Sequence, residues 1–306
     1  MPASGTVVYL QSEPGDSIGQ GQTHLDTLAT AVLAFDPAGD RFSVHVRGDR
    51  RWDGWFAPQP AGTPIGAGTY PNLQRYGVFV PGLSWTGEGR GCNQSMSHLV
   101  IDEWTGSTTD PDRIVARFEQ RCDNSTGVLR GFVRYERGDP TSPPPPGDAA
   151  DFPWSPPPGA VPDSGDYLYF ESIPGDFIGQ GRTDLYTAPA STFAMSEASG
   201  VVRLRVDREA DGSWWDVRVS GPDAQWRLEP GLYDGLGRYP FHNPVEGGLD
   251  MSGEGRGCNR LAGAFAVDEV TYVNDWLQSV TIRFVQRCSE TGPPLYGAMR
   301  WTRPGN

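Results

Sequence analysis

PGDSIGQGQT occupies residues 14–23 of the chain and PGDFIGQGRT occupies residues 174–183, so eight of the ten positions match. GEGRGCN also occurs twice, at residues 87–93 and 253–259. The blocks recur in the same order, over a period far longer than that of a solenoid repeat. The chain therefore contains a duplicated unit of domain size.

The duplication divides the 306 residues into three segments. We expect a first repeat at 1–138, a linker at 139–164 and a second repeat at 165–306. The linker contains ten of the 28 prolines, and such a composition favours an extended, solvated polyproline II spacer. We interpret it as a tether in which Phe152 and Trp154 are candidates for docking onto a domain.

Both repeats show the two-residue alternation that is typical of half-buried β-strands. One stretch places Phe42, Val44 and Val46 on one face, and its polar residues Arg41, Ser43, His45 and Arg47 on the other. Turn signals are dense, and no long stretch shows the 3.6-residue period of a helix. We predict an all-β protein of two tandem β-sandwich or jelly-roll-like domains, each with about seven to ten strands.

Two cysteines fall at matching positions in each repeat. We predict the disulfides Cys92–Cys122 and Cys258–Cys288, because each repeat then carries its own bridge. Zinc is disfavoured, since two cysteines without a repeated histidine are too few ligands. Disulfides indicate a secreted or cell-surface protein; a cytosolic protein with reduced thiols is the alternative. The first four residues are no signal peptide, so we expect the sequence to begin at a mature chain.

Composition excludes several function classes. The net charge of −13 argues against nucleic acid and anionic membranes as partners. No apolar run approaches the roughly 20 residues of a membrane span, so we expect no membrane insertion. All 25 basic residues are arginine, which excludes a Schiff-base lysine or a phosphate-loop lysine. The four histidines form no recognisable triad or zinc motif.

The glycine-rich loop quoted first, and its twin, are candidate ligand sites. Asp16 and Asp176, with nearby backbone carbonyls, offer the oxygen ligands that calcium prefers. Alternatively the loops line a ligand cleft, with Gln20 and Gln180 as further contacts. The structural alternative is a turn in which glycine supplies a positive φ and aspartate caps the backbone.

The GEGRGCN loops are the second candidates. Each lacks the lysine and the strand–helix context of a phosphate loop. We expect Arg90 and Arg256 to pair with the aspartates of the first loops, which would hold two loops together. Glu88 and Glu254 are candidates for binding a ligand hydroxyl or a metal, and a purely structural role is the alternative.

Tryptophans provide the third candidates. Trp52 precedes Asp53–Gly54, which predicts a hairpin turn. In the second repeat Trp214 shares the outer face of a strand with an aspartate and an arginine, while its neighbour points inward. Because an indole face stacks on the C–H groups of a sugar, we consider Trp52 and Trp214 candidate platforms; coverage by a loop is the alternative. Among the other tryptophans, Trp226 and Trp276 are expected in the core.

A duplicated, tryptophan-rich β-module with a proline-rich linker is similar to bacterial extracellular lectins and carbohydrate-binding modules. The resemblance, which is at the level of the fold, implies a non-catalytic glycan-binding protein with one site per repeat, linked for avidity. One alternative is a structural or adhesive surface protein that binds protein partners. A third hypothesis is a hydrolase, because Glu88 and one member of the adjacent pair Asp102–Glu103 would supply the two carboxylates that glycoside hydrolysis needs. Calcium is compatible with all three, and no other cofactor is expected.

Overall fold

The computed structural model describes residues 2–77, 81–123 and 125–305. The chain divides into two compact units, Met1–Pro143 and Pro144–Asn306, and each unit contains one ten-stranded sheet. In the described ranges the helical structure is a single 3₁₀ turn, Ala149–Asp151. None of the helical structure in those ranges has the length and apolarity needed to cross a bilayer. The predicted all-β fold with two tandem domains is confirmed.

Ten strands form the sheet of repeat 1. They are β1 (Val7–Ser12), β2 (Thr23–Thr27), β3 (Val32–Pro37), β4 (Phe42–Arg47), β5 (Arg51–Ala57), β6 (Gly68–Arg75), β7 (Gly82–Gly87), β8 (Ser95–Gly106), β9 (Pro111–Cys122) and β10 (Leu129–Glu136). Their order across the sheet is β2-β1-β10-β9-β8-β6-β7-β5-β4-β3. Neighbouring strands are antiparallel except β6 and β7, which pair in parallel over two positions.

Repeat 2 has the same architecture. Its strands are β11 (Tyr167–Ser172), β12 (Thr183–Thr187), β13 (Thr192–Ala198), β14 (Val201–Asp207), β15 (Trp214–Ser220), β16 (Gly231–Arg238), β17 (Gly248–Gly253), β18 (Ala262–Val273), β19 (Trp276–Arg287) and β20 (Leu295–Thr302). Their order is β12-β11-β20-β19-β18-β16-β17-β15-β14-β13, which repeats the first sheet strand for strand. The duplication read from the sequence is thus a duplication of fold.

The core of each repeat lies on the inner face of its sheet. In β4 the apolar residues are buried and the polar ones are partly exposed, as the alternation predicts. The Phe118 ring of β9 lies 5.5 Å from the Phe56 ring of β5 and 5.2 Å from the Trp85 ring of β7. Strands far apart in the sheet order therefore pack face to face, which gives a β-sandwich-like fold.

Each repeat is closed by its own disulfide. Cys92 bonds to Cys122 and Cys258 bonds to Cys288, with Cα–Cα distances of 5.1 and 4.9 Å. Each bridge spans 30 residues of sequence. The predicted disulfides are confirmed.

A buried glutamine ties the two layers together in each repeat. The Gln120 side-chain amide accepts from the Trp85 N–H at 2.7 Å and donates to the Trp85 carbonyl at 2.9 Å. Gln286 makes the same two bonds to Met251, at 2.7 and 2.8 Å. Because a buried amide without partners is costly, this pair of bonds favours the native register of β9 over β7.

Two local expectations are wrong. Asp53–Gly54 lies in the middle of β5 and not in a hairpin turn. Glycine is required there by a close approach, since a Cβ would lie 2.4 Å from the Trp85 ring. Trp226 and Trp276 are 55% and 66% exposed, because both lie at the margin of repeat 2 instead of on an inward row.

The second part of the proline-rich segment packs on repeat 2. Phe152 is 5% exposed and lies against Ala266 and Val285. The Trp154 ring stacks on Tyr296, with 5.4 Å between the ring centroids. Here the segment is packed against the sheet and is not a solvated tether, because its two aromatic residues gain apolar burial that proline alone does not offer.

Candidate functional site

The PGD loops use their aspartates as internal caps. The Asp16 carboxylate accepts from Ser12 Oγ at 2.8 Å and from the Gly19 N–H at 2.7 Å, and the residue is 2% exposed. Asp176 repeats both bonds at the same distances. Over the described positions the chain brings together no group of three or more His, Cys, Asp or Glu side chains suited to a metal. This geometry favours the turn interpretation over a calcium site.

The arginines of the GEGRGCN loops clamp the PGD loops. Arg90 Nε donates to the Ile18 carbonyl at 2.7 Å, and Arg256 Nε donates to the Ile178 carbonyl at 2.8 Å. The expected link between the two loops is therefore present, but its acceptor is a backbone carbonyl. The acceptor is not an aspartate: Asp16 and Asp176 each accept from the N–H of the glycine three residues on in their own loop.

The glutamates of the same loops cap neighbouring strands. Glu88 Oε1 accepts from the Arg51 N–H at 2.8 Å, and Glu254 Oε1 accepts from the Trp214 N–H at 2.8 Å. Asp102 is separately engaged by Arg117, at 2.9 Å. Glu103 is held by Arg113, also at 2.9 Å, so each carboxylate considered for hydrolysis makes a structural contact of its own.

Gln20 and Gln180 are exposed loop candidates in both repeats. Both adopt a left-handed backbone, with φ of 55° and 56°. Their backbone N–H groups donate to the carbonyls of Asp16 and Asp176. Exposure leaves their amides open to a ligand.

The two tryptophan candidates differ in exposure. Trp52 is fully buried, because the register of β5 places it on the inward row with Phe56; its ring is inaccessible to a sugar, which removes it from the candidate surface. Trp214 lies on the outer face as expected, and its neighbour Trp215 is buried. The Arg205 guanidinium lies 4.2 Å from the Trp214 ring, so one face of this indole is already covered.

The outer face of repeat 1 contains a pocket that the sequence did not reveal. Its volume is about 210 Å³, and its lining includes the strand residues Phe42 and Phe56, whose side chains are buried. The walls are Asp36, Pro37, Ala38, Arg41, Ser43, Trp55 and Tyr76. The pocket thus combines the Trp55 and Tyr76 rings with the Asp36 carboxylate, the Arg41 guanidinium and the Ser43 hydroxyl.

A charged network supports one wall of this pocket. His45 Nδ1 lies 2.6 Å from Asp53 Oδ1, and its Nε2 lies 3.4 Å from Asp36 Oδ2. Arg47 also donates to Asp53, at 2.7 Å. Burial opposes ionisation of Asp53, but the hydrogen bonds from His45 and Arg47 outweigh it and lower the pKa of this carboxyl. The His45 ring meets Trp55 edge-on, at 6.2 Å, so the network fixes the indole that faces the pocket.

Repeat 2 does not reproduce this arrangement. Ser43 pairs with Trp55 across β4 and β5, whereas the matching register of repeat 2 pairs Arg203 with Arg218. Both arginines bind the buried carboxylate of Asp216. An ion-pair cluster in repeat 2 therefore takes the place of the aromatic wall in repeat 1.

The alternating pattern of β4 placed Arg41 and Ser43 on the outer face, and this is confirmed. Trp55 and Tyr76 were not among the predicted site residues, since the turn expected at Asp53–Gly54 obscured the alternation that places Trp55 on the outer face of β5. Tyr76 follows β6 in the chain and reaches the pocket only through the parallel pairing of β6 with β7, which no local signal predicts.

A scan against protein-family models and a search of curated proteins gave no match for this chain.

Proposed function

We propose that this protein is a non-catalytic, extracellular carbohydrate-binding protein whose principal site is the Trp55–Tyr76 pocket of repeat 1. One observation carries the proposal. Two aromatic rings and the polar groups of Asp36 and Arg41 converge on one concavity of about 210 Å³. Drug-sized sites are larger, at about 300–1,000 Å³, so this volume suits a single sugar ring.

The chemistry of the walls matches the two sides of a pyranose. An indole face attracts the C–H groups of the apolar side of a sugar. The Asp36 carboxylate accepts from sugar hydroxyls, while the Arg41 guanidinium donates to them. The two disulfides are compatible with export, where sugars of cell surfaces and matrices are met.

The site differs from the original expectation in number and place. That expectation put one site in each repeat, at the glycine-rich loops and at Trp52 and Trp214. The loops are engaged in internal contacts, and in repeat 2 Arg203 and Arg218 stand at the positions of Ser43 and Trp55. We therefore propose one principal site, so binding to a single-ring ligand should show one class of site.

The test is a glycan array probed with the labelled wild type, Trp55→Ala and Trp276→Ala, each in calcium and in chelator. We expect wild-type binding to a defined set of glycans, at least tenfold weaker binding by Trp55→Ala, and no change for Trp276→Ala. Trp276 is the matched control because it is an exposed tryptophan outside the pocket.

Absence of wild-type binding across the array would reject the carbohydrate proposal. Binding lost with Trp276→Ala and kept with Trp55→Ala would instead reject the pocket as its site. A thermal scan of both variants checks that each is folded, which is expected since Trp55 is only partly buried.

A further inference from the structure

The outer face of the β8-β9-β10 sheet in repeat 1 has a counterpart in repeat 2 that already holds a peptide segment. In repeat 2, residues 147–155 of the same chain lie across β18, β19 and β20. Gly147 forms a two-way backbone bridge with Leu232 of β16, with N–O distances of 2.9 and 2.8 Å. Phe152 is buried in the groove that follows. The chain thereby displays how this type of face binds an extended segment.

One arginine anchors the docked segment. Arg283 Nη1 donates to the Trp154 carbonyl at 2.7 Å, and its Nη2 donates to the Ala149 carbonyl at 2.9 Å. The guanidinium is held in place by Asp268, at 2.6 Å, and lies 5.3 Å from the Phe152 ring. A single fixed cation therefore binds both the backbone and the aromatic anchor of the segment.

Repeat 1 keeps this anchor in Arg117. Arg117 stands opposite Val100 in the register where Arg283 stands opposite Ala266. It is held by Asp102 through Nε and Nη2, as Arg283 is held by Asp268. Its side chain is 61% exposed, and Nη1 donates to no residue in the part of the chain that the structure describes.

A groove of about 440 Å³ lies over this arginine. It is lined by His98, Val100, Arg117, Phe118, Glu119, Arg130 and Gly131. A second groove, of about 460 Å³, runs beside Thr69. Thr69 pairs with Val100 as Leu232 pairs with Ala266, so this second groove lies where Gly147 bridges the sheet in repeat 2.

We propose that the outer face of repeat 1 is a docking site for an extended, proline-flanked peptide segment of a partner protein, with one aromatic anchor residue. The segment would bridge the β6 edge at Thr69, insert its aromatic side chain over Val100 and present backbone carbonyls to Arg117. The floor here is more polar than in repeat 2, because His98 and Glu119 replace Ala264 and Val285. The face is therefore suited to a reversible partner.

The test uses a fluorescein-labelled synthetic peptide of residues 144–158, titrated into the full chain and followed by fluorescence anisotropy. We expect saturable binding that weakens at least tenfold in Arg117→Ala and in Val100→Glu. A peptide with alanine in place of both Phe152 and Trp154 should not bind. The matched control is Arg283→Ala, which removes the corresponding arginine of repeat 2, where residues 147–155 already occupy the face. This variant should leave the affinity for the added peptide within twofold.

Three results would overturn the proposal. One is no saturable binding by a wild-type chain whose thermal unfolding is normal. Another is loss of binding in Arg283→Ala but not in Arg117→Ala, since the peptide would then be exchanging with the linker on repeat 2. The third is concentration-dependent dimerisation that Arg117→Ala abolishes and the peptide does not inhibit, which would assign the face to a second copy of this chain.

Discussion

Repeat 1 and repeat 2 share a strand order, a disulfide, a glutamine brace and two clamped loops, yet their outer faces differ almost everywhere. Repeat 2 covers its β18-β19-β20 face with the linker and fills its β14-β15 face with ion pairs. In repeat 1 the anchoring arginine of the first face is mostly exposed, and the second face contains the Trp55–Tyr76 pocket. The disulfide, the glutamine brace and the loop clamps are kept in both copies, whereas the residues on these two outer faces differ.

The disulfides test whether the shared framework contributes equally to both repeats. Replacing Cys92 and Cys122 with serine should lower the free energy of unfolding of repeat 1 by about 3–4 kcal/mol, from the chain entropy of a 30-residue loop. The Cys258/Cys288 pair should have the same effect on repeat 2. Urea unfolding of each double variant measures this loss in free energy. A difference above about 1 kcal/mol between the repeats would show that the two disulfides do not stabilise their repeats equally.

The covered face gives the largest expected difference between the repeats. Phe152→Ala should lower the free energy of unfolding of repeat 2 by about 2–3 kcal/mol, because a nearly fully buried ring is lost. Repeat 1 should be unaffected. Phe177→Ala is the control, since Phe177 is 56% exposed, and its change should stay below about 0.5 kcal/mol. Equal effects of the two substitutions in calorimetry would mean that the linker contributes little to repeat 2.

The loop clamps should be equivalent. Arg90→Ala and Arg256→Ala each remove one charged donor from a loop carbonyl, and each should cost about 1–2 kcal/mol. Thermal unfolding of both variants compares them directly. If only one repeat is destabilised, the matching geometry of the two clamps does not translate into matching energetics.

The smallest expected change in stability concerns Asp26 of repeat 1, which stands where repeat 2 has Tyr186. Trp215 Nε1 donates to Tyr186 Oη at 2.7 Å in repeat 2. Repeat 1 has Asp26 at that position, and neither Asp26 Oδ2 nor the Trp52 indole N–H finds a partner among the described residues. Burial, reinforced by Asp49, raises the pKa of Asp26 to about 6.

The sign of this shift predicts a pH dependence. Because the folded pKa lies above the unfolded value of about 3.9, the contribution of Asp26 to stability is complete below pH 4 and is lost as the pH rises through 6. Asp26→Asn should therefore raise the stability of repeat 1 by about 1 kcal/mol at pH 7.5. At pH 4 it should give no gain. A melting temperature that responds equally at both pH values would contradict the raised pKa.

The disulfides and the strand pattern of the fold could be predicted from the sequence because both occur in two copies of the same unit. Matched cysteines predicted the bridges, and alternation in residues 41–47 predicted which side chains of β4 face outward. Local signals failed where a distant strand decides the outcome. Asp53–Gly54 has the composition of a turn, but the approach of the Trp85 ring makes it a strand. Tyr76 enters the pocket only through the pairing of β6 with β7.

Candidate site residues were harder to read for a related reason. A loop that contains glycine with aspartate, glutamate and arginine has the same composition whether it binds a ligand or forms a turn capped by its own side chains. The two differ only in where the hydrogen bonds go, as the Asp16 and Arg90 contacts show. Only the three-dimensional structure shows that these side chains make hydrogen bonds within and between their own loops.

The packing of Phe152 and Trp154 also fixes where the chain can be cut. A fragment that begins at the duplicated sequence itself, near residue 165, would strip the cover from Ala266 and Val285 and expose an adhesive apolar strip. Such a fragment is prone to self-association. A fragment that begins at residue 144 would retain that cover. The segment that must be expressed as a stable domain is therefore longer than the segment that was duplicated.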